Sequence, residues 1–290
     1  AVVLAVLLML RFQPQLLDPS TAQLMRGLIP AAIILFVVGL VDDLIGLTGV
    51  YKLVGQVLSV SILVAGGFEF EVLSILGFEI ALGSLSVPFT MFFCLGAINA
   101  FNLIDGADGL ASAVGAIVFA TLGTVAAVLG ESSAALVCFT FSGALMAFLC
   151  FNAPPARIYL GDTGSMLIGL VVAAVAVHCT IKEQAGFALL VPVAICAIPI
   201  IDAGAAMIRR ITTGQSVFSP DRGHLHHSLL LRGWSVARTV AAIAVLTTIT
   251  CGGALASFFT GKDYYALAAG AGVFAAMAAA RVFGHVEVAL

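Results

Sequence analysis

The stretch LMRGLIPAAIILFVVGLVDDLIGL, Leu24–Leu47, decides how the chain is read. Its first part, Leu24–Val41, is almost wholly apolar, and a bilayer core of ~30 Å calls for about 20 such residues in one helix. Two adjacent carboxylates, Asp42 and Asp43, close the run. Working outward, further spans are expected at Leu53–Gly66, Val87–Phe101, Leu110–Leu129, Ala134–Phe151, Met166–Thr180, Phe187–Ile208, Val236–Phe259 and Tyr265–Phe283. Ala1–Leu10 supplies half of another, which brings the expectation to about ten transmembrane helices. The first residue is Ala, and no basic segment precedes that run. A signal peptide is therefore not expected, and the chain reads as truncated inside a helix at its N-terminus.

Composition agrees. The 290 residues are 62% hydrophobic and 9% charged, with a mean hydropathy of +1.18. Soluble domains carry about 25% charged residues, so a soluble enzyme, a secreted disulfide scaffold and a disordered chain are excluded. The net charge of −3, without a basic stripe, excludes nucleic acid as a partner. Six cysteines sit singly inside apolar runs with no CxxC spacing, which reads as small apolar filler. The expected fold is an all-α polytopic membrane protein forming a single integral-membrane domain over residues 1–290. One connection, FEFEVLSILGFEIALG (68–83), alternates polar and apolar residues and predicts a short outer β-hairpin. Lys52, Arg157, Arg209, Arg210, Arg222, Arg232 and Arg281 fall on one side if the spans alternate. The positive-inside rule places that side in the cytoplasm.

The unusual polar residues gather on the same side. Asp42 and Asp43 end one span; Asn99, Asn102, Asp105 and Asp108 end another in INAFNLIDGADGLA (98–111). Asp162 lies in RIYLGDTGSMLIG (157–169), and His224, His226 and His227 lie in FSPDRGHLHHSLLLRGW (218–234). Carboxylates at a membrane boundary are costly unless paired, hydrated or bound to a cation. Five of them (Asp42, Asp43, Asp105, Asp108, Asp162) on one face point to a divalent metal, and oxygen ligands favour Mg²⁺, or Mn²⁺, over zinc. GDTGS and DGADGL each place glycine and a short polar residue at a helix start, where free N–H groups and the helix dipole favour phosphate. No GxxxxGK[ST] or GxGxxG occurs, which disfavours an ATPase or a dinucleotide enzyme. Each element also has a plainer reading: a solvated cap for the DD pair, a turn or calcium-like loop for DGADG, a zinc site for the histidines. The histidines have no cysteine partners and are closely spaced, so contact with phosphate or carboxylate is the better reading. Asp202, within PVAICAIPIIDAGAAMIRR (192–210), reads as a hydrogen-bonding residue in helix packing. Two other classes stay open: a cation-coupled transporter with a midplane site at Asp202, and a scaffold for a glycan-assembly complex.

VDDLIGL (41–47), NAFNLIDGADGLA (99–111), YLGDTGS (159–165) and FSPDRGHLHHSLLLRGW, in that order, resemble the polyprenyl-phosphate N-acetylhexosamine-1-phosphate transferases, in the WecA/TagO branch of the WecA–MraY superfamily. The resemblance covers Leu28 to about Phe259. It implies 11 transmembrane helices, a multi-pass location in the bacterial inner membrane and an active site facing the cytoplasm. The implied reaction moves N-acetylglucosamine 1-phosphate from a UDP-N-acetylhexosamine to undecaprenyl phosphate and releases UMP. It would be the first membrane step of a cell-envelope glycan such as O antigen or teichoic acid. Other UDP-sugars (FucNAc, QuiNAc, GalNAc or MurNAc-pentapeptide) and a homodimer are left open.

By the resemblance, Asp162 is a magnesium ligand, and Asp42 deprotonates the lipid phosphate with Asp43 beside it in the metal environment. Asn102, Asp105 and Asp108 contact the nucleotide, and Tyr159 stacks on uracil. Arg222, His224, His226 and His227 form the donor-binding loop, and Lys52 is a basic contact for the lipid phosphate. The chain departs from the family in three places, one being the lack of the basic C-terminal tail that some members carry. A first cytoplasmic loop with basic residues and a Gly-Gly segment is absent, and Gly46 stands where an acidic residue often follows the DD pair.

Overall fold

The computed structural model describes residues 19–182, 189–214 and 223–282. Ala1–Leu10, the beginning of the Phe187–Ile208 span and Arg222 lie outside the described residues. The elements run in the order α1 (Pro19–Ile45), α2 (Gly49–Ala65), β1 (Val72–Ile75), β2 (Phe78–Ala81), α3 (Ser86–Ile104), α4 (Leu110–Val128) and α5 (Ser132–Asn152). They continue with α6 (Gly161–Lys182), α7 (Leu190–Ile195), α8 (Ala197–Thr212), α9 (Leu225–Leu231), α10 (Val236–Thr260) and α11 (Tyr264–Ala279). Among the described residues, six helices (α1, α3, α4, α5, α6 and α10) are long and apolar enough to cross a membrane. Helices α2 and α11 are shorter apolar ones. The chain is a helical, multi-pass membrane protein.

Helix α6 forms the centre. Its sequence after GDTGS is apolar on every face, as expected of a helix buried all round, and Met166, Ile168 and Leu170 through Val177 are buried. It packs on α1 and α3, α4 packs on α5, and α10 on α11. Small residues set the close crossings: a Cβ on Gly169 would overlap the backbone of Ala97 and Ile98 in α3, and one on Gly39 would overlap that of Thr163. Polar side chains join helices inside the apolar bundle. Ser59 donates to the Ala31 carbonyl at 2.7 Å, and Asn99 donates to Gln56 at 2.8 Å. Such bonds contribute about 0.6 kcal/mol each in membranes.

The expected hairpin is present, with Val72 opposite Ala81 and Ile75 opposite Phe78. Its two-residue turn, Leu76–Gly77, has φ of 53° and 81°, as a right-handed strand twist demands of a two-residue connection. The Leu76 N–H donates to Asp263 at 2.6 Å, which ties the hairpin to the α10–α11 connection. The His178–Glu131 pair, at 2.9 Å, lies at this same end of the bundle.

One expected span is broken before Asp202, where its prolines predict a kink. Phe187–Ile208 is not a continuous helix: the described part breaks at Cys196, between α7 and α8. The cause is Pro199, which has no N–H to donate and whose ring would meet the carbonyl of Ile195 if the helix ran on. Helix α8 restarts there and turns Ile198, Asp202, Ala205, Ala206 and Arg210 inward.

Candidate active site

At the end of the bundle opposite the hairpin, Asp42 at the foot of α1 and Asp162 at the head of α6 converge on Lys52 in α2. The Lys52 ammonium sits 2.7 Å from Asp42 Oδ2 and also pairs with Asp162 Oδ2. The other Asp42 oxygen accepts the Leu47 N–H at 2.6 Å. This bond closes the tight α1–α2 turn and fixes where Asp42 points. Lys52 is thus held between two carboxylates, at the place where a cation bound by both would sit.

Asp43 does something that the spacing alone did not reveal. Its carboxylate accepts the backbone N–H of Asp162 at 2.8 Å and that of Thr163 at 3.1 Å, and the Thr163 hydroxyl at 2.6 Å. Gly161, at φ 68°, lies directly against this carboxylate. The free N–H groups expected to receive phosphate at the GDTGS helix start are therefore occupied by Asp43. It acts as an N-cap supplied from another helix and complements the positive end of the α6 dipole.

Asn102 donates to Ser165 at 3.0 Å, which in turn donates to the Gly161 carbonyl at 2.9 Å, joining the α3 end to the same helix start. Asp105, just beyond α3, is pushed up to about 7, first by burial and then by the negative charges of Asp162 and Asp43. Asp108 faces another way, accepting the Ala156 N–H at 3.0 Å. With Asn152, which donates to the Ile158 carbonyl at 2.8 Å, it orders the connection before α6. Tyr159, on that connection, leaves 75% of its surface exposed, a flat ring open to a ligand.

The histidines come in against DGADG. His226 is buried, and a Cβ on Gly106 would overlap its Nε2, so only glycine allows this approach. Neither His226 ring nitrogen has a hydrogen-bond partner among the described residues. Burial, followed by the neighbouring imidazole His227, pulls His226 down to about 4 against the opposing pull of Asp202, with His224 adding a smaller downward push. The His224 ring is parallel to that of His226 within 4°, at 5.9 Å, and His227 lies 4.2 Å from His226. His224 is anchored by Asp202: its Nδ1 lies 3.0 Å from Asp202 Oδ2, while Oδ1 accepts the Leu225 N–H at 2.7 Å. The hydrogen bond expected of Asp202 exists, but its partner is the histidine motif rather than a neighbouring membrane helix.

The structure thus brings Asp42, Asp43, Asp162, Lys52, Asn102 and Asp105 to one end of the bundle, with His226 against the loop that follows Asp105. Asp108, on the α3–α4 connection, and Tyr159, on the α5–α6 connection, stand beside them. Thr163, Ser165 and Asp202 were not singled out for these roles, because their partners lie far away in sequence. Among the described residues, no three His, Cys, Asp or Glu side chains already form a metal cage. The donor set nevertheless fits magnesium. Asp42 and Asp162 present carboxylate oxygens to one cationic centre, and Asp105 lies in the negative field of Asp162 and Asp43. Hard oxygens of this kind suit Mg²⁺, which keeps several waters and takes only one or two carboxylates from the protein.

The model for glycosyl transferase family 4 matches residues 25–180. The decaprenyl-phosphate N-acetylglucosaminephosphotransferase of Mycobacterium tuberculosis (strain CDC 1551 / Oshkosh) is 35% identical over 278 residues, 88% of this chain and 69% of that protein. The probable undecaprenyl-phosphate N-acetylglucosaminyl 1-phosphate transferase of Bacillus subtilis (strain 168) is 31% identical over 224 residues, 77% of this chain and 63% of that protein. The phospho-N-acetylmuramoyl-pentapeptide-transferase of Clostridium perfringens (strain 13 / Type A) is 34% identical over 235 residues, 76% of this chain and 70% of that protein. By its matched motifs, its helical membrane fold and these relatives, the chain belongs to glycosyl transferase family 4, among the polyprenyl-phosphate N-acetylhexosamine-1-phosphate transferases.

Proposed function

We propose that the protein transfers N-acetylglucosamine 1-phosphate from UDP-N-acetylglucosamine to a polyprenyl phosphate such as undecaprenyl phosphate, with Mg²⁺ and release of UMP. The observation that carries this reading is the convergence of Asp42 and Asp162 on one cation beside the DGADG loop. Relatives named for transfer to decaprenyl and undecaprenyl phosphate support it.

The reaction forms a bond from a lipid-phosphate oxygen to the sugar-bearing phosphorus and breaks that phosphorus's bond to the bridging oxygen, which leaves with UMP. Catalysis of phosphoryl transfer is mostly positioning and charge neutralisation. Asp162 and Asp42 would hold the magnesium, and the bound ion supplies charge neutralisation for the pyrophosphate. Asp42 is held in place by Leu47 and Lys52, while the Lys52 ammonium attracts the incoming lipid phosphate. Asp43 keeps the α6 start, and with it Asp162, in place. Tyr159 gives uracil a stacking surface, and the histidines close the donor side. The basic residues at this end support a cytoplasmic face by the positive-inside rule, with the membrane taken as the bacterial inner membrane.

The test is a donor screen with membranes containing the full-length protein and undecaprenyl phosphate, offering UDP-N-acetylglucosamine, UDP-N-acetylgalactosamine and UDP-MurNAc-pentapeptide separately. UDP-N-acetylglucosamine should give the most lipid product, and excess EDTA should abolish it. Preference for another donor would change the sugar, and full activity in EDTA would remove magnesium from the account.

A further inference from the structure

Asp202 lies on α8, a half-helix that the proline break separates from α7, and the proposed reaction gives it no role. Its surroundings are nonetheless specific. It is 1% exposed, and both of its oxygens are spent on the histidine motif, one on the His224 ring and one on the Leu225 N–H. His224 is the residue before α9, and Leu225 is the first residue of that helix. The carboxylate therefore caps α9 from another element, as Asp43 caps α6. We infer that Asp202 is a positioning residue: it holds the His224 imidazole with the proton on Nδ1 and so leaves Nε2, on the other side of the ring, as the nitrogen that meets the donor.

The chemistry follows from the inventory of acceptors. A carboxylate can only accept, so the nitrogen facing it must carry the hydrogen, and the opposite nitrogen is left as the one whose proton can come and go. The Leu225 N–H on the second oxygen keeps the carboxylate from rotating. The parallel stacking of His224 on His226, at 5.9 Å, carries that fixed orientation to the ring packed against Gly106. Removing a residue that orients a functional histidine typically costs 10–100-fold in activity or affinity, as in metal sites whose outer hydrogen bonds are deleted. The inference rests on the proposed role of His224 toward the UDP-sugar.

Asp202→Asn separates positioning from packing. The amide keeps the size of the side chain, and its carbonyl can still accept the Leu225 N–H, but its NH₂ now faces Nδ1 and drives the proton to Nε2. The experiment measures donor kcat/KM and melting temperature in detergent for the full-length wild type, Asp202→Asn, His224→Gln and the double variant. Asp202→Asn should lower kcat/KM by roughly 10–100-fold with little change in melting temperature. In the His224→Gln background it should add less than about twofold, because residues acting through one another are not additive. An equal loss in both backgrounds, or wild-type kcat/KM in Asp202→Asn, would overturn the inference.

A second readout does not depend on Asp202→Asn folding. In ¹⁵N-histidine-labelled wild type, with the His224 signals assigned by their loss in His224→Gln, Nδ1 should show the shift of a protonated nitrogen and Nε2 that of a bare one. The reverse pattern would also overturn the inference. If His224→Gln turned the donor over as wild type does, the proposed donor role of His224 would fail instead, and the nitrogen shifts alone would decide the pairing.

Discussion

Asp43 on α1 and Thr163 on α6 are joined twice, through the Thr163 backbone N–H at 3.1 Å and its hydroxyl at 2.6 Å. Gly39, one turn earlier on α1, leaves the room for the α6 start to come this close. The consequence reaches the chemistry: the residue beside Thr163 is Asp162, so the cap that fixes the helix start also fixes the carboxylate that pairs with Lys52.

Asp43 is therefore expected to matter for stability as well as for turnover. Losing a helix cap costs about 0.5–2 kcal/mol, so Asp43→Ala should lower the melting temperature in detergent by several degrees. Thr163→Val, which removes only the hydroxyl bond, should fall in between, and Thr163→Ser should resemble wild type. An Asp43→Ala protein as stable as wild type would mean that the cap is not what holds α6.

Lys52 competes with a divalent ion for the same two carboxylates. Lys52→Met should leave Asp42 and Asp162 unneutralised and ready to bind Mg²⁺, and a ligand that binds the folded state raises its stability. Magnesium should then raise the melting temperature more in Lys52→Met than in wild type, whatever happens to activity. An unchanged magnesium response would place the metal away from this pair.

Much of this was legible in the sequence, for reasons that can be traced. The apolar runs are long enough for their helices to be read without tertiary information, and the alternation in FEFEVLSILGFEIALG marks a hairpin because strand side chains have period two. Asp42, Asp105 and Asp162 stood out because charge is rare in such a chain. What stayed hidden depends on partners distant in sequence. Nothing near Asp43 signals that its oxygens meet the α6 start, and nothing near Asp202 signals His224. The break at Cys196 was written in Pro199, but the apolar run around it reads equally well as one continuous span.

Tyr159 should act through its ring face. Stacking on a base is worth about 1–3 kcal/mol by alanine substitution, so Tyr159→Ala should raise the KM for the UDP-sugar roughly tenfold or more with a smaller change in kcat. Tyr159→Phe should be nearly silent. Equal losses in both variants would assign the effect to the hydroxyl.

His226 gives the protein an acid limit. Its imidazole is held down to about 4 by burial and by its histidine neighbours, whereas the unfolded chain takes up the proton near 6.5. Because the unfolded state binds that proton first, folding stability contributed here is complete above about 6.5 and is lost as the pH falls toward 4. Melting temperature should drop across this window in wild type and drop less in His226→Gln. Parallel pH profiles would show that His226 is not the group responsible.

The most direct measurement follows the donor's second phosphorus. With UDP-N-acetylglucosamine labelled at the β-phosphate with ³²P, full-length protein and undecaprenyl phosphate, transfer of the sugar together with its phosphate predicts label in the lipid fraction and unlabelled UMP in the water phase. Label that stays in the water phase as UDP while the sugar enters the lipid would contradict the account, because the bond broken would then be the one to the sugar.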